Sequence, residues 1–402
     1  MAQFQYVGRD RKGKIRKGKI LSSTRREAVV ELKEKGIAVS EIQQLEETLL
    51  NKEINIGSPV KLKDFVIYLR QFSTLLMAGV TVVEATKILA TQSQSKALKK
   101  ALFQVEEELR SGKPLSEAAQ KHSKIFPPMF IHLIQAGEVS GNLEEVLDRL
   151  AVYFEKQHRS IQKVKSALIY PIVILIVAMG AVTFLLTSVV PTFAAMFAGF
   201  GAELPKITQF VLGVSEWMQN YWWFLLVLPI LLVGAYIAIN KNKETRYYLH
   251  YVTLKLPIFG SLLQKAAIAR MTRTLSSLFK SSVPILQALS IVEKVSGNEV
   301  IAKVLGESRT SLERGQPLSE PMKNHWIFPP IVTQMIIIGE KSGSLDMMLA
   351  KVADFYDDEV ETATDALKSL IEPLMIVFLA AVVGVIVLAI MVPMFEVFNH
   401  VQ

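Results

Sequence analysis

Residues 126–193 occur twice. The stretch FPPMFIHLIQAGEVSGNLEEVLDRL, a polar helical segment and an apolar run return without a gap, 202 positions later, at residues 328–395. Phe126-Pro127-Pro128 matches Phe328-Pro329-Pro330. Gly137-Glu138-x-Ser140-Gly141-x-Leu143 matches Gly339-Glu340-x-Ser342-Gly343-x-Leu345. Pro171, Pro191 and Phe193 match Pro373, Pro393 and Phe395. Further upstream the offset is 203. There Arg70 matches Arg273, and Gly112-x-Pro114-Leu115-Ser116-Glu117 matches Gly315-x-Pro317-Leu318-Ser319-Glu320. A repeat this long exceeds any solenoid unit, so it predicts two homologous domains, each feeding an apolar segment.

The chain of 402 residues is half hydrophobic, and three apolar runs account for this. Residues 168–190 carry no charge over 23 positions, enough at ~1.5 Å per residue to cross a hydrocarbon core of ~30 Å. Residues 222–239 and 370–393 form the second and third expected spans. Lys156, Arg159, Lys163 and Lys165 precede the first, and Lys241, Lys243, Arg246 and Lys255 follow the second. Lys206 is the only basic residue between them. The positive-inside rule then predicts a cytoplasmic N-terminus and an external loop at 191–221. It also predicts a cytoplasmic connector at 240–263 and an external tail at 394–402. The polar start, MAQFQYVGRDRKGK, predicts no cleavable signal peptide, so the first run serves as its own insertion signal.

Residues 1–50 read as a small basic αβ unit. A weakly alternating strand, a turn and a returning strand are followed by a helix stopped at Gly36. Nine Lys or Arg and one Asp fall between Arg9 and Arg26. This is a solvated hairpin tip or a contact for an acidic partner or anionic headgroups, with Arg9, Arg11 and Lys12 as the candidate contact residues. No recognition motif for nucleic acid accompanies it. Residues 51–62 read as a linker. Residues 63–167 and 264–369 read as cytoplasmic helical bundles, with Pro128 opening a helix and the Gly137–Gly141 stretch breaking it. The expected class is mainly α: a polytopic membrane protein with two homologous cytoplasmic helical-bundle domains, three transmembrane helices and a small N-terminal αβ unit.

The chemistry-bearing candidates are few. Cysteine is absent, which removes disulfides, thiolate metal sites and cysteine nucleophiles. Ser111-Gly112-Lys113-Pro114 is no phosphate loop, no His-Glu-x-x-His or Gly-x-Ser-x-Gly occurs, and the six histidines are scattered. We expect no enzyme, no cofactor and no metal site. The Gly-Glu-x-Ser-Gly-x-Leu pair can end one helix and start the next: Gly141 and Gly343 free the backbone, and Asn142 or Ser344 caps, with Glu145 at a capping-box position. Gly137 and Gly339 allow close helix packing. The functional alternative gives Glu138 and Glu340 to a partner or a cation. Glu372, beside Pro373 at the mouth of the third run, is either a packing residue or a partner contact, with Lys368 one turn away as its candidate ion-pair mate.

The doubled Phe-Pro-Pro … Gly-Glu-x-Ser-Gly-x-Leu, the proline inside each following span, Glu372-Pro373 and Glu203-Leu204-Pro205-x-Ile207-Thr208 resemble the bacterial type II secretion system F protein family, nearest to its PilC-type branch of type IV pilus platforms. The resemblance covers essentially the whole chain. It implies a non-enzymatic platform in the bacterial cytoplasmic membrane, a homodimer or higher homo-oligomer. It also implies partners: a cytoplasmic hexameric assembly ATPase, pilins or pseudopilins, and other membrane assembly subunits. A secretion or DNA-uptake pseudopilus platform shares these motifs. A duplicated-fold transporter is the alternative outside the family.

Overall fold

The computed structural model describes residues 2–10, 15–22, 29, 32–33, 36–44, 59–198, 205–240, 242–257 and 259–400. The chain divides into two compact units, Met1–Ser58 and Pro59–Gln402.

The first unit is an antiparallel sheet of β1 (Ala2–Asp10), β2 (Ile15–Ser22) and β3 (Ile37–Gln44) in the order β2-β1-β3. The hairpin was expected; β3 was not. Its sequence, IAVSEIQQ, alternates too weakly to stand out, and it gains its identity by pairing with β1. A register shift between Val7 and Gly8 accompanies a close approach. A Cβ on Gly8 would lie 2.6 Å from the Ala38 carbonyl oxygen, so this position requires glycine. Phe4, Leu32 and Ile42 form the small core. The expected helix falls largely outside the described residues, as do Arg11 and Lys12.

The second unit begins with α1 (Leu62–Met77), α2 (Val82–Gln92), α3 (Lys96–Arg110), α4 (Leu115–Gln120) and α5 (Pro128–Ser140). Thr81 and Ser95 cap α2 and α3 through their hydroxyls. Then comes α6 (Leu143–Phe184), which runs through residues 167 and 168 without a break. The bundle's last helix and the first apolar run are one rod of 42 residues, about 63 Å long. A single π-helical turn, Leu185–Val189, leads into α7 (Val190–Ala198). The expected external loop is helical at both ends, since α8 (Lys206–Asn220) follows. Next are α9 (Phe224–Ile239), α10 (Lys243–Lys255), α11 (Phe259–Lys280), α12 (Ile285–Val295), α13 (Glu299–Glu313), α14 (Glu320–Lys323) and α15 (Pro330–Ser342). The last described element is α16 (Leu345–His400), 56 residues that take in the third apolar run and residues 394–400 of the expected tail.

Among the described residues, two helices, within α6–α7 and α16, are long and apolar enough to cross a membrane. The second apolar run forms only the 16 residues of α9, about 24 Å, charge-free on every side. The two bundles share one core. Phe65, Phe72, Phe126, Phe130 and Phe154 from the first copy are continuous with Ile268, Leu275, Leu289, Val332 and Leu349 from the second. Phe65 and Phe154 meet edge to face at 5.1 Å, locking α1 onto α6. The seam between copies carries a buried hydrogen bond, Tyr153 Oη to Thr274 Oγ1 at 2.9 Å.

Prolines interrupt both long rods, and α8 supplies donors for the carbonyls left by the two far ones, Pro191 and Pro393. Pro393 has no N–H for the Ala389 carbonyl one turn back, and Thr208 Oγ1 donates to that oxygen at 2.7 Å. Pro191 follows the π turn, where bonds run five residues back, so the carbonyl left over is that of Leu186; Ser215 Oγ donates to it at 2.5 Å. Leu186, Val190, Val211, Ile386 and Ala389 pack around these two bonds. Thr208→Val and Ser215→Ala each leave a buried carbonyl unpaired and are expected to cost about 1 kcal/mol. Thermal melting of the detergent-solubilised chain, with Thr192→Val as an exposed control, checks this.

Candidate functional site: the repeated turns and the cleft between the long helices

Gly137 and Gly339 are helical and buried, within α5 and α15 rather than at a break. A Cβ on Gly137 would sit 3.1 Å from Val146 Cγ2, and one on Gly339 would sit 3.0 Å from Leu345 Cα, so the glycines let the next helix lie close. The helices end at Gly141 and Gly343, both left-handed (φ 72° and 68°). The Asn142 and Ser344 N–H groups close the ends on Gly137 O and Gly339 O at 3.0 and 2.9 Å. The Asn142 side chain does not cap α6; its amide donates to Glu145 instead. Ser342 and Ser344 hydroxyls pair at 2.6 Å. The surface these turns present is Ser140, Gly141, Ser342 and Gly343, all exposed.

The glutamates turn inward. Glu138 Oε1 accepts from the Leu115 N–H at 2.5 Å and Oε2 from the Ser116 hydroxyl at 2.5 Å. Glu340 does the same with the Leu318 N–H at 2.6 Å and the Ser319 hydroxyl at 2.9 Å. Pro114 begins α4 with no side-chain cap of its own, so a carboxylate from α5 supplies the acceptor and the negative charge that a helix start favours. The two repeated motifs of each bundle are therefore halves of one device.

A second duplicated device was half visible. Arg70 holds Glu155 through both oxygens, at 2.7 and 2.9 Å, and Asp148 at 2.7 Å. Its match Arg273 holds Asp357, the repeat partner of Glu155, at 2.5 Å, and Asp354 at 2.8 Å. The hydrogen bond from Arg70 holds the Glu155 carboxyl below its usual range, against a smaller push from burial. Burial opposes the charge on Arg273, yet hydrogen bonds to Asp357 and Asp354 raise it above the usual guanidinium value. Lys156–Asp354 at 3.1 Å and Lys163–Glu361 at 2.5 Å then stitch α6 to α16.

Where α6 and α16 enter their apolar runs they leave a cleft of about 240 Å³. Glu372 and its repeat partner Tyr170 both line it, with Pro171, Ile371 and Met375. The expected Lys368–Glu372 ion pair is replaced by Lys368–Asp365 at 3.0 Å, because the lysine reaches back along its own helix. Arg9 is exposed on β1. Among the described residues no group of three or more His, Asp or Glu is placed to hold a metal ion.

Glu138→Ala strands the Leu115 N–H and the Ser116 hydroxyl, and a loss of about 1–3 kcal/mol is expected in a melting experiment, with less for Glu138→Gln. Glu155 titrates below its ordinary value when folded. Its contribution to stability is therefore complete above that ordinary value, ~4.3, and is lost as pH falls through the folded pKa. Melting midpoints from pH 6 to pH 3 should fall less steeply for Glu155→Gln than for the natural chain.

The model for type II secretion system (T2SS), protein F matches residues 68–191 and 271–393, and the model for its N-terminal domain matches residues 1–43. The chain is 38% identical to the type IV pilus assembly protein PilC of Thermus thermophilus, over 99% of this chain and 98% of that protein. It is 35% identical to PilC of Myxococcus xanthus, over 100% and 96%. To the type II secretion system protein F of Aeromonas hydrophila it is 35% identical, over 92% and 97%. With two copies of the helical domain, the N-terminal domain and relatives matched end to end, the chain belongs to the type II secretion system protein F family.

Proposed function

We propose that this chain is the membrane platform of type IV pilus assembly. It couples a cytoplasmic hexameric ATPase to the insertion of pilin subunits, as a homodimer or higher oligomer in the bacterial cytoplasmic membrane. The observation that carries this is likeness along nearly the full length to proteins named for type IV pilus assembly. The structure adds a physical reason. Both bundles pass into apolar rods along one continuous helix each, with Pro171 and Pro373 where the apolar runs begin, so a push on a bundle reaches the membrane end of the same helix. The platform does no chemistry of its own in this reading; work arrives from the motor and leaves as motion.

Three spans are supported by the shared core. Both bundles lie in one body, yet α6 leads away from it into a membrane-length run. The chain has to return before α10 and α11 can rejoin the core, and α9 is the apolar segment placed to do so. Charge assigns the N-terminus and both bundles to the cytoplasm and the C-terminus to the outside.

For the partner contacts we assign the two turns, the entry cleft and the basic hairpin. Ser140, Gly141, Ser342 and Gly343 form the exposed surface that Gly137, Gly339, Glu138 and Glu340 hold in shape. Glu372 faces a mobile membrane segment, and Arg9, Arg11 and Lys12 meet an acidic or anionic surface. The likeness to secretion protein F keeps a second reading, the platform of a secretion or DNA-uptake pseudopilus.

A tagged chain purified from native membranes in mild detergent should bring down a hexameric ATPase and pilin-like subunits, identified by mass spectrometry. Pseudopilins in place of pilins would favour the second reading, and solute-binding proteins would replace both with transport. Ser140→Trp with Ser342→Trp should cut ATPase recovery at least several-fold while the chain melts normally; unchanged recovery removes the turns from the interface. A tag at Gln402 reachable only from outside intact cells fits the orientation, and cytoplasmic labelling overturns it.

A further inference from the structure

A second cavity, of about 330 Å³, lies between α6, α11 and α16 on the bundle side of the entry cleft. Its size falls in the range of small-molecule sites, about 300–1,000 Å³. Ile161, Val164, Leu262, Leu263 and Ala266 make most of its surface apolar. Four cations, Lys156, Lys165, Arg270 and Arg273, line it against one carboxylate, Asp357. Lys156 and Arg273 are tied to Asp354, but Lys165 has no ion pair among the described residues. Lys165 also stands three residues before the first apolar run, where a bilayer surface meets the rod.

Arg270, like Lys165, has no ion pair among the described residues, and Ser160 adds a hydroxyl to the same wall. An apolar ligand would leave these two cations facing hydrocarbon, and a simple anion would leave the apolar walls wet. A ligand with an anionic head and a hydrocarbon body satisfies both requirements.

A separate feature puts such molecules within reach. Tyr248, Val252 and Leu256 are exposed and form an apolar stripe along α10, and Phe259 and Leu263 are exposed on α11, past a bend of 117°. The opposite side of α10 is turned to the core, where Lys255 and Lys303 lie over Trp326 and Tyr247 at 4.9 and 5.3 Å. A helix apolar on its free side and following an apolar segment suits the membrane interface. Leu263, the last of these exposed residues, is also a wall of the cavity.

We propose that this cavity binds one anionic phospholipid, its phosphate at Lys165 and Arg270 and its upper acyl chain along Val164, Leu262 and Ala266. The lipid fills the seam between the two repeats, so it cements α6 to α16 at the point where the bundles become rods. The proposal rests on the reading of these rods as membrane spans.

The test uses the full chain, purified in mild detergent, delipidated, and returned to phosphatidylglycerol or phosphatidylcholine. Native mass spectrometry should find phosphatidylglycerol retained on the chain, and the melting midpoint should rise with it by several degrees more than with phosphatidylcholine. Lys165→Ala should weaken retention about fivefold. Ala266→Leu, which fills the apolar end, should abolish it. Should Ala266→Leu fail to fold, Lys165→Ala decides. Equal stabilisation by phosphatidylcholine, retention unchanged by Lys165→Ala, or no lipid retained at all overturns the proposal. Flotation keeps the two readings apart: a chain that floats with vesicles of either lipid but shows no anionic preference sinks only the lipid site, whereas one that floats with neither sinks the spans.

Discussion

A backbone carbonyl in hydrocarbon has only protein to bond to, and leaving it bare costs several kcal/mol. Proline creates such carbonyls, and this chain places prolines deep in both of its long rods. The remedy is one short helix, α8, whose Thr208 and Ser215 each reach a different rod. Much follows from that. The rods are held side by side at their far ends by α8, as the ion pairs Lys156–Asp354 and Lys163–Glu361 hold them nearer the bundles. The π turn fits the same logic. It moves the orphan oxygen one residue out of repeat register, to Leu186, where Ser215 meets it.

The bundles obey a related constraint in water. Each must begin the short helix after Gly-x-Pro-Leu-Ser with no capping side chain in place, and each borrows a carboxylate from a helix some twenty residues on. Glycine at 137 and 339 brings the following rod close, and glycine at 141 and 343 lets the chain turn back onto it. The repeated motif is thus a structural joint whose outer side is left free. That division of labour is what allows one short sequence to hold the fold and still keep an exposed outer side.

The sequence was informative where a pattern was local or repeated. The duplication, the helical class, the close packing at Gly137 and the left-handed ends at Gly141 and Gly343 follow from identity at fixed spacing and from what glycine alone can do. The mates of Glu138 and Arg70 were not legible singly, because they lie 22 and 85 residues away. Yet both halves of each pair recur in the second copy at nearly the same separation, and that recurrence was a usable signal. Residues 191–221 read as a loop because α8 is mixed in polarity. Its hydroxyls look solvent-facing until the prolines they serve are known. Strand β3 was missed because an eight-residue stretch with weak alternation gains its structure from its neighbour. The cavity beside Lys165 was invisible for the same reason: its walls come from three helices far apart in the chain.

The continuity of each helix from bundle to rod has a mechanical meaning. A helix of 42 residues is about 63 Å long, so a tilt of a few degrees at its base moves the far end by several ångströms. The shared core and the tie at α8 prevent the two rods from scissoring independently. They form the two legs of a braced frame, so any rotation of the shared core would be carried to the far ends of both rods together, enlarged by their length.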